Sequence, residues 1–278
     1  MTFPWLEIVK NALAEDVGRG DVTTNALLGA GQVVKARLVA REDLVVCGLS
    51  VMAEVFQLVD SRVRMLPTIQ EGCGAMAGNT ICTVQGPARG ILTGERVALN
   101  FFQHLTGVAT LTRQYVERIS GTNARIVDTR KTVPGLRLMQ KYAVRVGGGH
   151  NHRMGLDDGV LVKENHIALA GGVKEAVEQI RATVHHLLRI QVECETLDQV
   201  RQCLDVGVHA VLLDNMDLPG IAKAVQLVGG QALVEASGNM TLDKVRAVAE
   251  TGVDLISVGA ITRSATSKDV SLLIDDDA

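Results

Sequence analysis

Between residues 125 and 263 short apolar runs alternate with longer amphipathic stretches. Six runs stand out: RIVDTRK (125–131), GVLVKEN (159–165), IQVECE (190–195), AVLLDN (210–215), ALVEASGN (232–239) and DLISVGA (254–260), each ending in polar residues or glycine. From Ile190 onward they recur at intervals of roughly twenty residues, as strand-plus-helix units do. Helical spacing fills the gaps with ETLDQVRQCLDVG, LPGIAKAVQLVGG and TLDKVRAVAETG. Gly207 and Gly252 stand where a helix must turn into the next strand, a position that favours glycine. Units of this length build a parallel α/β barrel.

The first third follows another rhythm. Residues 5–16 carry a helical stripe through Trp5, Ile8, Val9 and Leu13, and GRGDVTTNALL reads as a turn. Residues 33–46 read as a strand pair bent around Arg41–Asp43, and residues 50–59 as a helix. RVRMLP, TICTVQG and RGILTG read as short β pieces between glycine-rich turns. Residues 94–119 keep helical spacing through Val97, Phe101, Leu105, Val108 and Tyr115, and predict a long helix joining two domains.

Composition agrees with helices packed on parallel strands: 47% of the 278 residues are hydrophobic and only 3% aromatic. A net charge of −3 argues against nucleic-acid binding through bulk charge. The five cysteines (Cys47, Cys73, Cys82, Cys194, Cys203) include no C-x-x-C pair, which predicts reduced thiols and a cytoplasmic protein. MTFPWLEIVKNALAED lacks the features of a signal peptide, and no apolar run is long enough to predict a membrane span.

Against that acidic background, residues 128–167 concentrate cations: Arg130, Lys131, Arg137, Lys141, Arg145, Arg153 and Lys163, with His150, His152 and His166. Such density repels itself unless a polyanion relieves it. In a parallel barrel the working residues sit at the C-terminal ends of the strands. Those ends here offer Arg130 and Lys131, Lys163 and Glu164, Glu193 and Glu195, Asp214 and Asn215, Ser237–Asn239 and Val258–Ala260. Cations there suit phosphates or carboxylates, and carboxylates suit Mg²⁺ or sugar hydroxyls. Glycine-bearing turns offer N–H groups to a terminal phosphate. His150 and His152 form an H-x-H pair without a third ligand at convincing spacing for zinc. No Walker loop exists.

Eight segments in order (EDVGRGDVTT, GERVALNFFQHLTGVAT, DTRKTVPGLR, KYAVRVGGGHNHRMGLDDGVLVKENHI, VECETLDQ, LLDNM, EASGNM and ISVGAIT) closely resemble the quinolinate phosphoribosyltransferases, the decarboxylating enzymes of de novo NAD synthesis. The resemblance implies an α/β fold: an N-terminal α/β sandwich (1–104, joined by the tail 264–278) and an open, seven-stranded parallel α/β barrel (105–263). Only six barrel strands are legible in this sequence. It further implies quinolinate and phosphoribosyl pyrophosphate as substrates, Mg²⁺ as cofactor, and a homodimer whose sites each borrow Arg96 from the neighbouring copy.

Residue by residue, it places Arg96, Arg130, His152 and Arg153 on the quinolinate carboxylates, and Thr129, Lys131 and Lys163 along the site. Glu193 and Asp214 would lie near ribose and metal. Ser237, Gly238, Asn239, Val258, Gly259 and Ala260 would hold the ribose phosphate. Lys131, Lys163, Glu193 and Asp214 would be the catalytic set. The resemblance favours Glu193 over Glu195 for this role. One departure is Thr262-Arg263-Ser264-Ala265, where the family often has T-H-S-A; Arg263 keeps a cation but cannot titrate near neutrality. A relative acting on another base, a Schiff-base aldolase using Lys163, and a non-catalytic metabolite-binding protein are the competing readings.

Overall fold

The computed structural model describes residues 5–29 and 31–275. In chain order come α1 (Leu6–Val17), α2 (Val22–Leu27), β1 (Val33–Ala40), β2 (Leu44–Val45), α3 (Leu49–Val59), β3 (Arg64–Pro67), β4 (Gly74–Ala75), β5 (Thr80–Pro87) and α4 (Ala88–Arg118). Then follow β6 (Arg125–Val127), α5 (Arg137–Val146), β7 (Val160–Val162), α6 (Glu164–Ala170), α7 (Val173–Thr183), β8 (Ile190–Cys194) and α8 (Leu197–Asp205). The chain continues through β9 (Ala210–Asp214), α9 (Leu218–Val228), β10 (Leu233–Ser237), α10 (Val245–Glu250), β11 (Leu255–Ser257), α11 (Ala260–Arg263) and β12 (Val270–Ile274). Two compact units result: residues 5–113, 133–148 and 264–275 in one, residues 114–132 and 149–263 in the other. Residues 1–4 and 276–278 of the expected N-terminal domain and tail lie outside the described residues. Among the described residues no helix is long and apolar enough to cross a membrane.

The first unit is built on an antiparallel sheet of order β12-β1-β5-β3. Along β1, Val34, Ala36 and Leu38 are buried while Lys35 and Arg37 face out, the alternation of a half-buried strand. The expected hairpin over 33–46 does not form: β1 pairs with β5 and β12, and β2 pairs instead with β4. The bend between them is engaged elsewhere. Glu42 accepts from Lys268 Nζ at 2.6 Å and from the Asp269 N–H at 2.9 Å, and Arg41 N–H donates to the Asp269 carbonyl. The expected turn at GRGDVTTNALL contains α2, capped by the Asp21 carboxylate, which accepts the Thr24 N–H at 2.9 Å. The donors of Thr24 hold the Asp21 carboxyl below its usual range. Helix α3 begins at Gly48, which has no side chain to cap it; Glu71 accepts the N–H groups of Gly48 and Leu49 at 2.9 and 2.7 Å.

RGILTG, expected as a β piece, is the first part of α4. Its glycines are there for spacing: a Cβ on Gly90 would lie 2.7 Å from Asp60 Cβ, and one on Gly94 would lie 3.0 Å from the Phe56 ring. They let the helix approach α3, which side chains would hold off. Helix α5, unassigned in the sequence reading, also belongs to this unit and carries Lys141 with 1% of its surface exposed.

The second unit is a parallel sheet of order β6-β11-β10-β9-β8-β7, with helices between successive strands from β7 onward. All six apolar runs of the sequence are its strands. The seventh position, beside β6, is reduced to one parallel bridge between Val127 and His150. There the His150 N–H donates to Ile126 at 2.8 Å and the His150 carbonyl accepts from Asp128 at 3.1 Å. Gly147–Gly149 precede it, and glycine weakens a strand. Helix starts follow local chemistry: Thr196 and Gln199 form a capping box for α8, and Asp217 caps α9. Gly207 and Gly252 have positive φ (66° and 92°), as the helix exits require. His185 and His186 lie exposed in the turn after α7.

Gly107 in α4 faces the backbone of the tail, where an added Cβ would come 2.2 Å from the Thr266 carbonyl oxygen. Gly107→Ala should therefore destabilise the protein by about 1–3 kcal/mol, despite the ~1 kcal/mol by which alanine favours a helix. A thermal or urea midpoint at or above that of the wild type would remove the steric argument.

Candidate functional site

The C-terminal ends of the barrel strands enclose a cavity of about 280 Å³. Thr129, Arg130, Lys131, His152, Arg153, Lys163, Glu193, Asp214 and Ser237 all line it. The expected residues from 129 to 237 thus converge from four strand ends and two loops. A roomier hollow beside β7 is lined by Leu156, Leu161, Leu169, Ile180 and other mostly apolar side chains, and lacks this concentration of charge.

Each wall has a local origin. Beyond β6 the chain carries the buried Asp128, whose carboxylate accepts the Asn151 side-chain amide at 2.6 Å and the His152 N–H at 2.9 Å. This ties the DTRK loop to the HNHR loop and sets Arg130 and Arg153 in one wall. Arg153 Nη1 donates to the Gly159 carbonyl at 2.9 Å. Burial first, and then the adjacent Arg130 charge, lower the Arg153 pKa from its usual value. The two guanidiniums are thus packed against their own electrostatic preference.

Lys131 is held by its backbone: its N–H donates to Thr129 Oγ1 at 3.0 Å, and its carbonyl accepts from Thr262 Oγ1 at 2.8 Å. The Thr129 hydroxyl, expected to face substrate, thereby has a positioning role. Lys163 caps α6; its N–H donates to His166 Nδ1 at 2.9 Å. Lys163 Nζ lies 3.2 Å from Glu193 Oε2, with the lysine half exposed and the glutamate mostly covered. Glu195, the competing carboxylate, is exposed beside the cap of α8.

Asp214 accepts from the Asn215 side-chain amide at 3.1 Å. Asn215 and Asn239 are the non-glycine residues with positive φ among the described residues, and both stand at strand exits. Gly238 (φ 101°) packs under Asn215, where an added Cβ would meet Oδ1 at 2.2 Å. Gly238, Asn239, Val258, Gly259 and Ala260 lie in the turns after β10 and β11 and do not line the cavity itself. Gly259 leaves room for Lys131, whose Cδ would stand 3.2 Å from an added Cβ.

Arg137, Lys141 and Arg145 of the cationic segment lie on α5, in the first unit. Arg96 lies on α4, also in that unit. One group was missed: Glu235, 1% exposed, accepts from Gln191 Nε2 at 2.8 Å and lies 3.5 Å from His152 Nε2. Its signal was a charged residue inside the apolar run ALVEAS, on the same strand face as Ser237.

Fold and pocket define a class: an α/β-barrel protein whose strand ends gather cations and carboxylates around one small cavity. Comparison with known proteins narrows it. Residues 21–106 match the model of the quinolinate phosphoribosyltransferase N-terminal domain, and residues 108–273 that of its C-terminal domain. A probable nicotinate-nucleotide pyrophosphorylase (carboxylating) of Synechocystis sp. is 46% identical, over 94% of this chain and 88% of its own. A mitochondrial quinolinate phosphoribosyltransferase (decarboxylating) of Nicotiana tabacum is 38% identical, over 99% and 83%. The crystal structure of the nicotinate-nucleotide pyrophosphorylase of Ehrlichia chaffeensis superposes with a TM-score of 0.94 at 42% identity, over 99% of this chain and 100% of that one. The chain belongs to the quinolinate phosphoribosyltransferase family.

Asp128→Ala should cost about 2–5 kcal/mol, because two donors lose their buried acceptor at about 1–3 kcal/mol each. Urea unfolding followed by circular dichroism measures it, and a loss under about 0.5 kcal/mol would show that Asp128 is not the tie between the loops.

Proposed function

We propose that this chain transfers the phosphoribosyl group of phosphoribosyl pyrophosphate to the ring nitrogen of quinolinate, giving nicotinate mononucleotide, pyrophosphate and CO₂ for NAD synthesis. The observation that carries the reading is the pair of guanidiniums, Arg130 and Arg153, crowded in one cavity wall at mutual cost. A dicarboxylate relieves that cost, and the planar forks of arginine match carboxylates in bidentate fashion. The names of the curated relatives describe this same transformation, written in either direction.

In this reading Arg130, His152 and Arg153, with Arg96 from a second copy, surround the pyridine dicarboxylate. Lys131 and Lys163 face the pyrophosphate. Backbone N–H groups of Ser237–Asn239 and Val258–Ala260 meet the 5′-phosphate. The bond from C1′ to pyrophosphate breaks as the ring nitrogen bonds to C1′, through an oxocarbenium-like state that Glu193 and Asp214 stabilise by their charge. As the neighbouring carboxylate leaves as CO₂, the electron pair of the broken bond stays on C2, stabilised by the adjacent cationic ring nitrogen, and C2 then takes up a proton with that pair. The protein's share is position and field.

Glu193 and Asp214 are hard oxygen donors facing one cavity. They fit Mg²⁺, which takes one or two carboxylates and leaves its other positions to water and substrate phosphates. When bound, the ion neutralises charge on the departing pyrophosphate. All five cysteines are free thiols, and Cys194 and Cys203 remain unbonded with sulfurs 3.6 Å apart. That suits a reducing compartment, and we place the reaction in the cytosol.

Release of labelled CO₂ from carboxyl-labelled quinolinate should require both phosphoribosyl pyrophosphate and Mg²⁺; turnover of nicotinate in its place would indicate a different base. Arg130→Ala and Arg153→Ala should each raise KM for quinolinate by about 10–100-fold, and unchanged kinetics in both would contradict the carboxylate assignment. Arg96→Ala and Asp214→Ala should each be inactive alone. If the copies share sites in a homodimer, mixing and refolding the two should restore about a quarter of wild-type activity, the statistical yield of intact sites; no recovery would show that each copy uses its own Arg96.

A further inference from the structure

Behind His152, the floor of the cavity holds two groups, Gln191 and Glu235, that the reaction above does not use. Glu235 on β10 is buried, and one of its oxygens, Oε1, is buried without a hydrogen-bond partner among the described residues. The other, Oε2, accepts from Gln191 Nε2 at 2.8 Å. A carboxylate oxygen accepts, so Gln191 must turn its NH₂ toward Glu235. Its amide oxygen is then the atom 3.1 Å from His152 Nε2. An amide oxygen only accepts, so His152 must carry a proton on Nε2. On the far side of the ring, the Arg153 N–H donates to His152 Nδ1 at 2.9 Å, which requires a lone pair there. Two separate bonds, from opposite edges of the imidazole, select the same tautomer: neutral, with its proton on Nε2.

We propose that Glu235 is a positioning residue for the quinolinate site. Acting through Gln191, it locks His152 as the Nε2–H imidazole, whose Nδ1 anchors the Arg153 main chain and so places the Arg153 guanidinium. His152 is then a fixed neutral strut, and Arg130 and Arg153 carry the charge that meets the carboxylates. The proposal rests on the reading of Arg153 as a carboxylate ligand.

The test combines ring-nitrogen NMR with kinetics. In histidine-¹⁵N-labelled enzyme, the His152 signals, assigned by their loss in His152→Gln, should show Nε2 protonated and Nδ1 unprotonated near neutral pH. A proton on Nδ1, or on both nitrogens, overturns the lock. Glu235→Gln keeps the volume but no longer dictates the Gln191 amide. It should mix the His152 tautomers and raise KM for quinolinate about tenfold, with KM for phosphoribosyl pyrophosphate and the melting temperature little changed. Gln191→Met, which removes the relay and leaves Glu235 in place, should raise the same KM, and it carries the test if Glu235→Gln does not fold. Loss of kcat or stability with quinolinate KM unmoved would make the role merely structural and sink the proposal. If Arg153→Ala leaves quinolinate KM unchanged while the His152 spectrum is as expected, the carboxylate reading of the site fails and the tautomer assignment stands.

Discussion

A single buried carboxylate organises the cationic wall. Asp128 sits just past β6, where the barrel's seventh strand has shrunk to one bridge. A loop at that position lacks the ladder of backbone bonds that a strand would provide, and buried donors must find acceptors. Asp128 supplies them, taking the side chain of Asn151 and the backbone of His152. Bonds to an ionised acceptor are stronger than those they replace. The loop after β6 and the loop after α5 therefore leave a common anchor, and the arginines two residues from Asp128 and one from His152 come to face the same space.

That arrangement puts opposed charges to different uses. Carboxylates that hold loops, Asp128 and Glu235, are buried at 0% and 1% exposure. Those assigned to the reaction, Glu193 and Asp214, remain partly open, as does Lys163 beside Glu193. Arg130 and Arg153, crowded in one wall, raise the local potential for an incoming anion. The formal net charge of the whole chain is −3, so the cationic wall is a local feature.

The barrel was legible because β and α periods alternate with little interruption and because polar residues end each strand. The site was legible for the same reason: Arg130, Lys163, Glu193, Asp214 and Ser237 all sit where apolar runs stop. Reading failed where tertiary packing overrides local pattern. Gly90 and Gly94 look like turn residues, yet they serve as points of close helix approach. Arg41–Asp43 looks like a hairpin bend, yet Glu42 binds the distant Lys268 and Asp269. Glu235 was hidden by its own burial: its neighbours along the strand are apolar, and its partner Gln191 is 44 residues away.

The sheet of the first unit has an implication for biosynthesis. Its outer strand β12 pairs with β1, Ala36 opposite Ile274 and Ala40 opposite Val270, although the two are among the first and last strands to leave the ribosome. Until β12 has been made, β1 presents an unpaired flank of amide and carbonyl groups. The chain can shut that flank only after the entire barrel sequence has been translated, so the edge stays open while the barrel is being made.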